Sequence, residues 1–108
     1  MAAADQLRIG VRREDGRVFF ALDGELDMAS APLLQSALES AELEPDDMVV
    51  LDLAQLQFID STGLRGLLAA REYASERGHE FAVTPGTQQV QRLLSVTGVA
   101  EHLRTLAS

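Results

Sequence analysis

The sequence predicts an α/β fold on a small, mixed and mostly parallel β-sheet, with elements in the order β-β-α-β-α-β-α-β. Three observations carry that expectation. Residues 48–53, Met-Val-Val-Leu-Asp-Leu, are nearly all apolar and rich in β-branched side chains, as in a central strand covered on both faces. Leu34, Ala37, Leu38 and Ala41 recur at i, i+3, i+4 and i+7, the period of a core-facing helix. An Asp15-Gly16 pair separates two stretches of alternating apolar residues, which is the signature of a hairpin. Strands that alternate with helices pair in parallel, and the hairpin adds one antiparallel element.

The elements follow in order. Met1 to Gln6 is expected to be a short frayed lead-in. Leu7, Ile9 and Val11 alternate with polar or small residues and predict the first strand; Val18, Phe20 and Leu22 predict the second. Gly24-Glu25-Leu26-Asp27 closes the second strand. Ser30 is the expected N-cap of the first helix, with Pro32 in the first turn, where proline is tolerated. After the strand at 48–53, a second helix is expected to start at Asp60-Ser61-Thr62-Gly63 and to run to about Arg77, stopped by Gly78. Its core stripe is Leu64, Leu67, Leu68 and Ala74. Phe81-Ala82-Val83 is a short strand and Thr84-Pro85-Gly86 a turn. Thr87 caps a third helix carrying Val90, Leu93, Leu94 and Thr97, ended by Gly98, and Leu103 to Leu106 form a last short strand.

Bulk properties narrow the function. A chain of 108 residues suffices for one domain, expected to span residues 1–108, with one modest core. No linker or internal repeat divides it. The net charge of −8 argues against nucleic-acid binding through a basic patch and favours a basic protein partner. The absence of cysteine removes disulfides, thiolate zinc sites and thiol catalysis. No apolar run approaches a membrane span and Met1-Ala2-Ala3-Ala4-Asp5 has no signal-peptide pattern, so a cytoplasmic protein without direct membrane insertion is expected.

The most informative run is Phe58-Ile59-Asp60-Ser61-Thr62-Gly63-Leu64-Arg65-Gly66-Leu67-Leu68. An apolar strand ends, a turn follows, and a helix with an apolar stripe begins. That order places two hydroxyls and a carboxylate at a helix N-terminus, where backbone N–H groups and the helix dipole favour added negative charge. Ser61 is therefore either an N-cap or a phosphate acceptor, with Thr62 the second acceptor candidate.

Together with Gly24-Glu25-Leu26-Asp27 and Val96-Thr97-Gly98-Val99, this run and the preceding Val49-Val50-Leu51-Asp52-Leu53 resemble the STAS domain family, and within it the small bacterial anti-anti-sigma factors. The resemblance covers about residues 7–106. It implies helices packed mainly on one face of the sheet. It implies phosphorylation of Ser61 by an anti-sigma factor that is itself a serine kinase and supplies the ATP. The unmodified protein then binds the anti-sigma factor and frees the sigma factor; a phosphatase restores that state. Family members commonly carry a further C-terminal helix, and with Ser108 the last residue no long one is expected here. STAS domains also serve as subunits of membrane systems transporting lipids or anions, where they bind a transporter component, and this is the alternative reading.

The expected partner-binding surface comprises Asp23, Glu25, Asp27, Asp60, Ser61, Thr62, Gly63 and Arg65, with the four carboxylates in one patch. Asp60 is expected to shape the turn, Thr62 to support it through its hydroxyl, and Gly66 to let the helix pack closely on the sheet. Asp27 and Asp60 lack the ordered spacing of a hard-cation site, so no metal is expected. Gly63 and Gly66 lack the lysine of a phosphate-binding loop, so no nucleotide or other cofactor is expected. His79 and His102 stand at no recognisable spacing from a nucleophile, and Ser61 is in no G-x-S-x-G elbow, so no catalytic residue is assigned.

Overall fold

The computed structural model describes residues 6–106. The frayed lead-in expected at Met1 to Gln6 lies outside the described residues except for Gln6, whose carbonyl accepts the Glu25 N–H at 2.6 Å. Strand β1 (Leu7–Glu14) and strand β2 (Arg17–Leu26) form the expected hairpin. Asp15 (φ 52°) and Gly16 (φ 77°) are both left-handed, as a two-residue turn requires to match the strand twist. Helix α1 (Ala31–Ser40) leads to β3 (Met48–Asp52), which pairs in parallel with β2 on one side and with β5 (Phe81–Val83) on the other. Val49, Val50 and Leu51 are fully buried, so this strand is covered on both faces as its composition requires.

The element order departs from expectation in two places. A separate strand, β4 (Leu56–Ile59), follows β3 and pairs in parallel with the far end of β2. Its register depends on an irregularity at Gly24/Glu25. Gly24 has φ +124°, and a Cβ there would lie 2.0 Å from the Gln6 carbonyl oxygen, so only glycine fits. The last strand is reduced to a single bridge, Val83 to Thr105, after a 3₁₀ turn at Val99–His102. Among the described residues the result is a five-stranded sheet, β1-β2-β3-β5 with β4 beside β2, antiparallel only at the hairpin.

Helices α1, α2 (Ser61–Glu76) and α3 (Gln88–Val96) bury Leu34, Leu38, Leu67, Ala70, Val90 and Leu94 in one cluster with Val18, Phe20, Leu22, Val49 and Leu51. These strand residues alternate and share one sheet face, so the helices cover mainly that face. On the other face Phe19, Val50 and Ala82 align in register across three strands, and the Arg12 guanidinium stacks over Phe19 at 4.1 Å. Thr84 ties β5 to the β3–β4 link. Its hydroxyl donates to Asp52 at 2.9 Å and accepts the Leu53 N–H at 3.0 Å.

Candidate functional site

The site forms where β2 and β4 end. Leu26 pairs with Ile59, so the following residues, Asp27 and Asp60, leave two parallel strands side by side. Their carboxyl ends are where open α/β sheets present ligands and partners. Asp60 stays extended (φ −109°, ψ −173°) because its N–H still donates to Leu26 O at 3.3 Å. Its Oδ1 accepts the Gly63 N–H at 2.8 Å, and its carbonyl accepts the Leu64 N–H at 2.9 Å. Asp60 is thus the N-cap of α2.

That assignment takes the capping role away from Ser61. Ser61 is the first residue of the helix and is exposed; its hydroxyl is not the cap. Among the described residues, the Ser61 and Thr62 N–H groups donate to no protein acceptor. Thr62 does not brace the turn as expected: its Oγ1 accepts from Arg65 Nη2 at 3.3 Å, one turn along α2. Gly63 holds the close approach that sequence alone assigned to Gly66. A Cβ on Gly63 would lie 2.1 Å from Leu26 O, whereas one on Gly66 would meet only Ala31 Cβ, on α1, at 3.7 Å.

The neighbouring loop is equally fixed. Asp27 Oδ1 accepts the N–H groups of Ala29 and Ser30, each at 3.0 Å. Ser30 sits at the N-cap position of α1 but does not cap it. Its buried hydroxyl accepts the Asp27 N–H at 2.9 Å and donates to Glu25 O at 2.7 Å. The reason is steric economy: Asp27 already closes the turn, so the Ser30 hydroxyl staples the loop to the end of β2.

The eight residues expected to form one surface divide. Asp27, Asp60, Ser61, Thr62, Gly63 and Arg65 gather at the strand ends and the first turns of α2. Glu25, on β2, lies two residues before Asp27, with Phe58 of β4 as its register partner. Asp23 stands apart: it lies on the helix-free face, opposite Arg8, with a 3.7 Å ion pair. Asp23 is thus engaged across the hairpin rather than at the strand ends where Asp27 and Asp60 stand. One residue escaped the sequence reading. Met28 is 73% exposed at the tip of the Asp27–Ser30 loop and lines a shallow groove with Pro32, Gln35, Thr62, Arg65 and Ala69. Its signal was an unbranched apolar side chain between Asp27 and Ser30, in a loop otherwise polar or small.

The histidines stand elsewhere. His79 Nδ1 bonds the Asp47 carbonyl at 2.9 Å, at the opposite end of the sheet, and His102 is in the 3₁₀ turn. Among the described residues, no group of three or more His, Cys, Asp or Glu converges as metal ligands would. No described helix is long and apolar enough to cross a membrane.

Comparison with known proteins agrees with this geometry. The STAS domain signature matches residues 8–108. The chain is 31% identical over 94 residues to an anti-sigma F factor antagonist of Paenibacillus polymyxa, covering 86% of this chain and 80% of that protein. The crystal structure of an anti-sigma factor antagonist from Mycobacterium paratuberculosis superposes with a TM-score of 0.80 at 28% identity, covering 97% of this chain and 89% of that one. A sulfate transporter family protein from Wolinella succinogenes shares the fold, with a TM-score of 0.73 at 22% identity over 87% of this chain and 79% of that one. The mostly parallel five-stranded sheet, the capped Asp-Ser-Thr-Gly turn and these matches converge: the chain belongs to the STAS domain family.

Proposed function

We propose that this protein is an anti-sigma factor antagonist whose binding is switched off by phosphorylation of Ser61. The unmodified form binds an anti-sigma factor and thereby frees a sigma factor. The anti-sigma factor is also the kinase: the γ-phosphoryl group of its ATP passes to Ser61 Oγ, the hydroxyl proton is lost, and ADP leaves. A phosphatase hydrolyses the phosphoserine and restores binding. The protein itself supplies no catalytic group and needs no cofactor, and it acts in the cytoplasm without touching DNA.

The observation that carries this reading is the division of labour at the turn. Asp60 caps α2, which leaves the Ser61 hydroxyl exposed and unengaged at the helix start. The backbone around it is fixed by Asp60, Gly63 and the Asp27–Ser30 loop, so a kinase meets a pre-formed acceptor. The docking surface is the rim around Ser61: Asp27 and Glu25 on the β2 side, and the Met28 groove between α1 and α2.

The switch is electrostatic. Glu25, Asp27 and Asp60 contribute three negative charges and Arg65 one positive, a local balance of −2 before modification. A phosphoserine adds about −1.5 to −2 more at neutral pH. A solvated helix terminus tolerates that charge, but an interface that must exclude water around it does not.

The test is to incubate the protein with its cognate anti-sigma kinase and ATP and to map the phosphate by mass spectrometry. Stoichiometric label on Ser61 is expected. Label on Thr62 or elsewhere with Ser61 bare contradicts the assignment. A pull-down from native cytoplasm separates the two family roles. Recovery of a small kinase-like ATPase supports the antagonist, and recovery of a transporter component supports the transport-subunit alternative.

A further inference from the structure

Arg65 lies one turn beyond Ser61, and its guanidinium is turned back toward the helix start. Nη2 donates to Thr62 Oγ1 at 3.3 Å, which places the cation on the Thr62 side of the first turn. Residues at i and i+4 are neighbours on a helix surface, so Ser61 and Arg65 share one stripe. Across residues 25–31 and 60–68, which hold the end of β2, the following loop and the first two turns of α2, Arg65 is the sole cation; the other charges are Glu25, Asp27 and Asp60. The Thr62 hydroxyl is a neutral acceptor at the long end of hydrogen-bond range and is readily exchanged for a stronger one.

We infer that Arg65 is a positioning residue for the phosphorylated state: its guanidinium leaves the Thr62 hydroxyl and pairs with the phosphate on Ser61. The inference rests on Ser61 being the phosphate acceptor. A guanidinium matches two phosphate oxygens at once, and a charge-assisted pair of this kind outweighs one long bond to a hydroxyl. The exchange does two things. It offsets repulsion between the phosphate and the carboxylates of Asp27 and Asp60, so the modified turn keeps its shape. It also withdraws a cation from the groove lined by Met28 and Pro32, so phosphorylation removes a positive charge from the docking rim while adding negative ones.

The test installs phosphoserine at position 61 during translation, independently of any kinase, and titrates the phosphate by ³¹P NMR. The proteins compared carry Arg65, Arg65→Lys, Arg65→Gln, and a control Arg71→Gln farther along the same helix. With Arg65 present the second phosphate ionisation should fall below the ordinary value of about 6. Arg65→Gln should raise it by about half a pH unit, an exposed-pair effect that fades in 1 M salt. Arg65→Lys should recover part of the shift, and Arg71→Gln should leave it unchanged. Identical titrations for the Arg65 and Arg65→Gln proteins, or an equal response to Arg71→Gln, overturn the inference. Failure of the functional reading has a different appearance: a kinase that leaves Ser61 unlabelled, or a phosphoprotein that still binds its anti-sigma factor. Neither alters the titration.

Discussion

The two ends of this sheet use aspartate in opposite ways. At the start of β3, Asp47 is 4% exposed and locked: Arg13 Nη1 donates to both carboxylate oxygens at 2.6 Å, and the Glu44 N–H donates at 2.7 Å. Arg13 reaches on to Glu42 O at 3.0 Å, tying β1 to the segment after α1. At the other end, Asp27 and Asp60 also accept backbone N–H groups, but among the described residues no arginine forms an ion pair with them. The first end is a staple with its charge cancelled. The second has a fixed backbone, uncancelled charge and an exposed hydroxyl. The phosphate switch proposed for Ser61 needs the second arrangement, in which a change of charge is not absorbed by a partner already in place.

The comparison can be broken most severely at Gly63. A methyl group there would press on Leu26 O, the atom that also accepts the Asp60 N–H, so strand end and helix start must part. Gly63→Ala should cost about 3 kcal/mol, measured by urea denaturation. Gly66→Ala, with only an ordinary contact to Ala31, should be neutral or slightly stabilising. Equal losses at the two glycines would place the close approach wrongly.

The staple comes next, and pH reveals it. The Arg13 guanidinium hydrogen bonds hold the Asp47 carboxyl below the usual carboxylate range, helped by the Glu44 N–H, and Asp47 in turn holds Arg13 above its ordinary value. A carboxyl depressed in the folded state contributes stability that is complete above its unfolded pKa. That stability is lost as pH falls through the folded value. Wild type should therefore lose more stability between pH 6 and pH 3 than Asp47→Asn does, as read from melting temperatures. Parallel loss in both proteins would mean that the pair contributes nothing to acid sensitivity.

Smaller effects separate cap from acceptor. Asp60→Ala should cost about 1 kcal/mol through loss of the N-cap, whereas Ser61→Ala should stay within about 0.5 kcal/mol of wild type. A larger loss at Ser61 would return the capping role to the serine.

Much of this was legible in the sequence. Asp15-Gly16 fixed the hairpin, Gly78 and Gly98 end their helices in left-handed conformation, and Thr87 caps α3 by accepting the Val90 N–H. Strand β4 was not legible as a separate element. It has four residues with only Leu56 and Ile59 buried, a pattern without alternation, and its pairing depends on the distant irregularity at Gly24. The cap of α2 was ambiguous because Asp60, Ser61 and Thr62 are all competent caps; the bond from Asp60 N to Leu26 O selects the first. Asp23 was misplaced for a related reason. Counting along the chain puts it two residues from Glu25, but Asp23 lies opposite Arg8 of β1 and forms an ion pair with it.

Charge added at Ser61 is proposed to weaken binding without disturbing the fold. The direct measurement is to prepare protein phosphorylated at Ser61 and to determine its melting temperature and its affinity for the cognate anti-sigma factor beside those of unmodified protein. The account predicts nearly unchanged melting and an affinity lowered at least tenfold, about 1.4 kcal/mol. Phosphoprotein that binds as tightly as the unmodified form would contradict it, and so would phosphoprotein that loses binding only because it has unfolded.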